Sequence, residues 1–562
     1  MADSSQIRNI QPLPPFSPST VQVSEEWPPY HPVYQWADHH GVEDLEHYCT
    51  GGDHPTHIGE RYHNDRYKII QKLGHSSYSL AWLARDTVEE KNVALKILQA
   101  DQPTYSRERD ILRLVTENRA NYSGSVYVAS LLDDFIIEGP NGKHLCLVMP
   151  IAGCSVAQSK HECRPYKHPL RVSRSIAAQV LLGMEYIHSC GVVHGDLSSN
   201  NILFQIPGLA ELNEDELYLH IGEPNQHEVR RYDNRPLGPE VPKHCVSPAM
   251  LFLNCDELEK IQDPQIIITD FGEAFLAASH NRDQLMTPIS LLPPEQFFHE
   301  PLGPKSDTWT LACTLIQILD RNPIFETWLG DEDAIIADMI GALGPLPGHW
   351  WEKWDAKDKY FSEDGSWKEG KGPPYRSLAE NLVSLARGKR WETAEMRKDE
   401  FTAREDLIKR MLVYESADRI TVEEAVASEW VQKWAIPDIT EADPQRLLGL
   451  LRETCDRFQP IFKEQTELEE AQNAADAAET DDLLDEDEKK WLKQYADELT
   501  EQRDRKHEEK MDKDSEANVV PGKPNRVVTW PPNGAWRILM LSDWMKEKDH
   551  QAGKGKGGGS GA

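Results

Sequence analysis

The sequence lacks any apolar run approaching the ~20 residues that cross a bilayer, so no membrane span is expected. Its first twenty residues, MADSSQIRNIQPLPPFSPST, lack the apolar core of a secretory signal. Cysteine is sparse: nine in 562 residues, with no Cys-x-x-Cys pair and no zinc spacing. That excludes a disulfide framework or a zinc ribbon and reads as reduced thiols of the cytosol or nucleus. Positive charge is short as well, 61 Lys and Arg against 94 Asp and Glu, for a formal net charge of −33. A surface of that sign disfavours direct nucleic-acid binding and suits basic partners. The apolar share of 39% is low for a wholly globular chain, so arms or tails are expected.

Residues 1–40, rich in Pro, Ser and aromatics, have no helical or strand period and read as an extended arm. From Arg66 short apolar segments follow in strand-like order: YKIIQKL, LAWLARD, NVALKIL, then VYVASLLDDF and HLCLVMP after a helix-like stretch at Ser106–Val115. Beyond Leu170 the pattern becomes helical, with RSIAAQVLLGMEYIHSC stopped by Gly191. Residues 205–265, set between the strand signals NILF and IIIT, are too long for an ordinary loop and read as an insertion with partial structure. Residues 464–488 hold twelve acidic residues and no basic one, which reads as a solvated tail, and the terminal GKGKGGGSGA cannot pack.

Four short motifs carry the chemistry. Lys96 closes the apolar strand Val93-Ala94-Leu95-Lys96, and Glu108 in the next helix-like stretch is the carboxylate placed to hold it. His194-Gly195-Asp196 is followed, five residues after the Asp, by Asn201. Asp270-Phe271-Gly272 follows an apolar strand. Each alone arises by chance, and a lone Asp in a loop is usually a turn former. Together, in this order and on these elements, they resemble the layout of protein kinases. There the first Asp orients the attacking hydroxyl, while the Asn and the second Asp hold Mg²⁺ against ATP. Pro293-Pro294-Glu295 stands where kinases carry Ala-Pro-Glu, Arg419 is placed to pair with Glu295, and Asp307 opens an apolar helix from which it would brace the catalytic loop.

The stretch HYCTGGDHPTHIGERYHNDRYKIIQKLG, followed by WLARD, resembles the entry into the kinase domain of the SR-protein kinases, particularly fungal members. The resemblance spans roughly residues 43–436. It implies an α+β, bilobal eukaryotic protein-kinase fold: an N-terminal extension over 1–65, a small β-rich lobe over 66–150, a larger, mostly helical lobe over 151–436 with the spacer-like insertion, and an acidic tail over 437–562. It implies ATP and Mg²⁺ as cofactors, Asp196, Lys96, Asn201 and Asp270 as catalytic residues, and Asn201 and Asp270 as metal ligands. Leu73, Gly74, Ser79, Ala81, Ala94, Lys96, Glu108, Met149 and Ile151 are the nucleotide-binding set on the same grounds. The implied activity is phosphorylation of serines in Arg/Ser-rich splicing factors by a monomer found in cytoplasm and nucleus.

Several positions depart from the kinase pattern. In the loop Gly74-His75-Ser76-Ser77-Tyr78-Ser79 only the first of three glycines is kept, and a side chain at Ser76 crowds close backbone approach to phosphates. Gly195 replaces an Arg that normally meets a phosphorylated activation segment, which suggests activity without that phosphate; the segment 273–292 is only 20 residues. Ser198 replaces a Lys that neutralises the transferring phosphoryl group, a loss of about 10²–10³ in rate. Pro150 follows Met149 where Glu is common. These departures keep a second reading in view, a weak pseudokinase acting as a binding scaffold. A third is a small-molecule phosphotransferase, since His-Gly-Asp also marks aminoglycoside and choline kinases; the Glu295, Asp307 and Arg419 set argues against it. His54 and His57 read as turn packing rather than metal ligands, and Trp350, Trp351 and Trp354 as a small local core.

Overall fold

A computed structural model describes residues 32–35, 41–100, 105–119, 122–163, 166–249, 251, 253, 258, 264–279, 284–320, 322–326, 331–363, 365–369, 377–387, 396–439 and 489–500, with isolated positions between 448 and 505. Most of the proline-rich arm, the acidic stretch (bar Ala471 and Ala475) and the glycine-rich end lie outside the described residues.

The first lobe is a six-stranded antiparallel sheet in the order β1-β2-β3-β4-β6-β5. Its strands are β1 (Arg61–Tyr62), β2 (Tyr67–His75), β3 (Ser79–Asp86), β4 (Lys91–Leu98), β5 (Asp133–Gly139) and β6 (Gly142–Met149). Side chains alternate across it as the pleat requires. Val93, Leu95 and Ile97 of β4, with Cys146 and Val148 of β6, join one core. Leu98, Leu145 and Leu147 face the other way and pack with Ile111, Leu112 and Val115 of helix α1 (Tyr105–Glu117). Lys96 therefore sits on the α1 side of β4, within the apolar run that begins at Val93.

The expected strand VYVASLLDDF forms only in its last residues. Ser123–Tyr127 is a 3-10 turn instead. The Ser125 hydroxyl donates to the Tyr122 carbonyl at 2.7 Å, and Val128 bridges Ile268 of the second lobe, so Tyr127, Val128 and Ala129 are buried by docking between lobes rather than by a ladder. Residues 41–65, grouped by sequence with the extension, are packed on the sheet: β1 pairs with β2, and Leu45, Tyr48 and Tyr62 enter its outer core. Gly51 adopts φ +86°, and a Cβ on Gly52 would lie 1.9 Å from the His47 carbonyl oxygen, so the Gly-Gly pair is what lets this segment turn back on itself.

The second lobe is mostly helical. β7 (Ala152–Ser155) leads into α2 (Val156–Glu162) and the long, buried α3 (Leu170–Ser189). Two short antiparallel pairings follow, β8 (Val192–Val193) with β13 (Phe275–Leu276), and β9 (Ile202–Gln205) with β12 (Ile266–Ile268). Between β9 and β12 the insertion folds as α4 (Glu214–Ile221) and the hairpin β10 (Gln226–Glu228) with β11 (His244–Val246). It reaches back to the sheet: Asn92 donates to the Leu209 and Leu212 carbonyls, and Lys68 pairs with Glu214 at 2.6 Å. Val229, Val241, Cys245 and Val246 close the outer core. The remaining helices, Pro304–Leu319 and Lys398–Met411 chief among them, complete the main core.

The tryptophan cluster is a local core as expected. Trp350 and Trp354 are buried with Phe298, Ile336 and Phe361, and Trp351 packs against them. His54 is buried too, its ring 4.8 Å from that of His144. One expectation is corrected at a single position. Cys163, at the end of α2, is disulfide-bonded, whereas Cys49, Cys146, Cys190, Cys245, Cys313 and Cys455 are free.

Candidate active site

Strand register assembles one wall of the cleft. Ala81 of β3 pairs with Lys96 of β4, Ala94 with Met149 of β6, and Gly74 at the end of β2 with Ala81. Leu73, partly buried, precedes Gly74, and Ile151, buried, follows the sheet's last strand. Ala94 and Lys96 share a face because they are two residues apart.

The Lys96 ammonium is bonded to both partners at once, Glu108 Oε1 at 2.7 Å and Asp270 Oδ1 at 2.8 Å. Glu108 comes from the first full turn of α1 and is buried. Asp270 follows β12 with φ +63°, a left-handed conformation uncommon for a residue other than glycine. Burial alone would push the Lys96 ammonium down; the Asp270 and Glu108 charges outweigh it and hold it up. Lys96 in turn holds the Asp270 carboxyl below its usual range.

Asn201 reaches back to Asp196, its amide donating to the Asp196 carbonyl at 2.8 Å and to Oδ2 at 3.0 Å. Burial, reinforced by the nearby Asp270 charge, raises the Asp196 carboxyl to about 6. The Thr269 N–H donates to the Asn201 carbonyl at 2.9 Å, which ties the loop carrying Asp196 and Asn201 to the residue just before Asp270. The Asp270 carboxylate and the Asn201 amide suit Mg²⁺, which keeps several waters and takes phosphate oxygens rather than a complete protein cage. Among the described residues no cluster of three or more His, Cys, Asp or Glu side chains is poised for a metal by itself.

The catalytic loop is held from outside. Asp307, buried at the start of helix Pro304–Leu319, accepts the His194 N–H at 2.7 Å and the Gly195 N–H at 3.1 Å, and bonds His188 Nε2 at 3.0 Å. The His194 ring bonds the Thr269 carbonyl and packs on Phe271. Glu295 and Arg419 form a fully buried fork, with both bonds at 2.9 Å and Ser306 donating to the same carboxylate. The loop 74–79 is closed on itself: the Ser76 N–H donates to the Ser79 carbonyl, and the two hydroxyls lie 2.8 Å apart.

Sequence reading passed over two residues on either side of Pro293. Thr287 donates its hydroxyl to the Gly195 carbonyl at 3.2 Å. Gln296 accepts the Leu285 N–H at 2.8 Å and donates to the Leu285 carbonyl. Thr287-Pro288 ahead of Pro-Pro-Glu was the available signal; Gln296 offers none, because a glutamine's partner is set by tertiary packing.

The protein kinase domain family matches residues 67–212 and 257–431, more than half of the chain, and leaves most of the insertion unmatched. A serine/threonine-protein kinase, SRPK, of Physarum polycephalum is 29% identical over 338 residues, 58% of this chain and 78% of that protein. Protein kinase dsk1 of Schizosaccharomyces pombe is 37% identical over 174 residues, 29% of this chain and 31% of dsk1. SRSF protein kinase 3 of Homo sapiens is 33% identical over 171 residues, 30% of each chain. With the bilobal fold and the closed lysine–carboxylate pair, these matches show that the chain belongs to the protein kinase family, in its SR-protein kinase group, and is a serine/threonine kinase.

Proposed function

We propose that the chain transfers the γ-phosphoryl group of ATP to serines in basic, Arg/Ser-rich proteins, met in the cytoplasm and the nucleus. The observation that carries this reading is Lys96 bonded to Glu108 and Asp270 together, because productive nucleotide placement needs all three. Asp196 orients the substrate serine and takes its proton as the new ester bond forms. Lys96, kept in place by Glu108, binds the α- and β-phosphates, while Gly74–Ser79 covers them. Asn201 and Asp270 hold Mg²⁺, which, when bound, neutralises charge on the phosphates. Leu73, Ala81, Ala94, Met149 and Ile151 enclose the adenine. The names of the relatives and the net charge of −33 support a basic protein substrate.

Phosphate incorporation into an Arg/Ser-repeat peptide, compared with Asp196→Ala, tests this. Loss of the base is expected to cost about 10²–10⁴ in rate. Equal, background incorporation by both proteins would replace the enzyme with the scaffold reading.

A further inference from the structure

The residue two positions before Gly74 is a lysine with no exposure. Lys72 is fully buried, and its ammonium is ion-paired to Glu43, 29 residues upstream and itself buried. Glu43 also accepts the Tyr48 hydroxyl. The ammonium lies 5.5 Å from the centroid of the Trp82 ring, the residue that Lys72 faces across β2 and β3. The Lys72 carbonyl accepts the N–H of Ala249, at the far end of the insertion, at 2.8 Å. Between Lys72 and Gly74 the ladder slips by a bulge, which re-aims the chain as it enters the loop. Three segments distant in sequence thus meet at the root of the loop.

A buried ion pair is a weak source of stability, because desolvating two charges costs about what their attraction returns; its best-attested use is to fix a register. The apolar contacts here, Leu45, Tyr48, Trp82 and Leu95 among them, tolerate small slides of segment 41–53 against β2. One carboxylate on one ammonium does not. The loop beyond is stiffened by the Ser76–Ser79 bonds, so a shift at its root carries to its tip.

We propose that the Glu43–Lys72 pair is a positioning device for the nucleotide: it locks segment 41–53 to the root of Gly74–Ser79 and so sets the seat of that loop over the phosphates of ATP. This rests on the reading above that the loop covers ATP.

Removing one partner strands the other charge in an apolar site and endangers folding. The informative variant is therefore Glu43→Leu with Lys72→Met in the full chain, beside Tyr48→Phe, which removes only the hydroxyl on Glu43. The readouts are Mg·ATP binding by calorimetry, KM for ATP, KM for an Arg/Ser peptide, kcat and Tm. The double variant is expected to fold and to raise Kd and KM for ATP by about 5–20-fold, with kcat and peptide KM within about twofold, the signature of lost nucleotide binding. Tyr48→Phe is expected to raise KM for ATP by about two- to threefold in the same direction. A folded double variant with wild-type KM for ATP overturns the proposal. So does an unfolded double variant beside a folded Tyr48→Phe protein with unchanged KM. A wild-type chain that takes no Mg·ATP overturns the underlying reading as well, and is recognised before any variant is made.

Discussion

Gly195 occupies the position where an arginine was expected, with φ +75° and with the Glu273 carbonyl oxygen only 2.7 Å from where a Cβ would stand. Returning an arginine there forces a branched backbone into the left-handed region and moves the Asp270–Glu273 turn. Gly195→Arg is expected to cost roughly 1–3 kcal/mol in denaturant unfolding and to lower kcat rather than raise it. A variant with full stability and higher kcat would show that the turn yields. The peptide-side segment has its own ties, Thr287 to the Gly195 carbonyl and Gln296 to both backbone groups of Leu285, so its position does not depend on an arginine meeting a phosphate. The residues legible in sequence were those whose chemistry demands a type at a spacing, such as Lys96, Asp196, Asn201 and Asp270. Lys72, Glu43 and Gln296 were not, because their partners are chosen by packing alone.

Among the elements, β2, β3, β4 and β6 stood out in the sequence as short apolar runs bounded by turn residues, and α3 as an apolar pattern at helical spacing stopped by Gly191. The run around Val128 misled because the burial of Tyr127, Val128 and Ala129 comes from the other lobe, a contact that an apolar run cannot distinguish from a ladder. The turn at His54 carries a pH consequence. Burial, with His144 alongside, lowers the His54 imidazole to about 4, against Glu60, which pulls it up. A neutral imidazole in the fold and a readily protonated one in the unfolded chain give stability that is complete above about pH 6.5 and fades as pH falls toward 4. The full loss from this group is about 3 kcal/mol. Thermal unfolding between pH 7 and 4 should show it, and His54→Phe should flatten that limb; an unchanged slope would assign the acid sensitivity elsewhere.

For the whole molecule, the dominant facts are an excess of negative charge and an insertion that leaves one lobe to pack on the other. Attraction between an acidic enzyme and Arg-rich peptides is screened once the Debye length drops to a few ångströms. Raising salt from about 0.1 to 0.5 M is expected to raise KM for an Arg/Ser peptide several-fold with little change in KM for a neutral control peptide. Equal response of the two peptides would refute the electrostatic account. The buried carboxylate of Asp307, which holds His194, Gly195 and His188, lies more than a hundred residues downstream of them, and Glu295 waits for Arg419 further still. On the ribosome, then, a nascent chain that already contains Lys96, Asp196, Asn201 and Asp270 has an unbraced loop at His194 and Gly195 until Asp307 has emerged, and an unpaired Glu295 until Arg419 has, so the cleft is made in one order and made rigid in another.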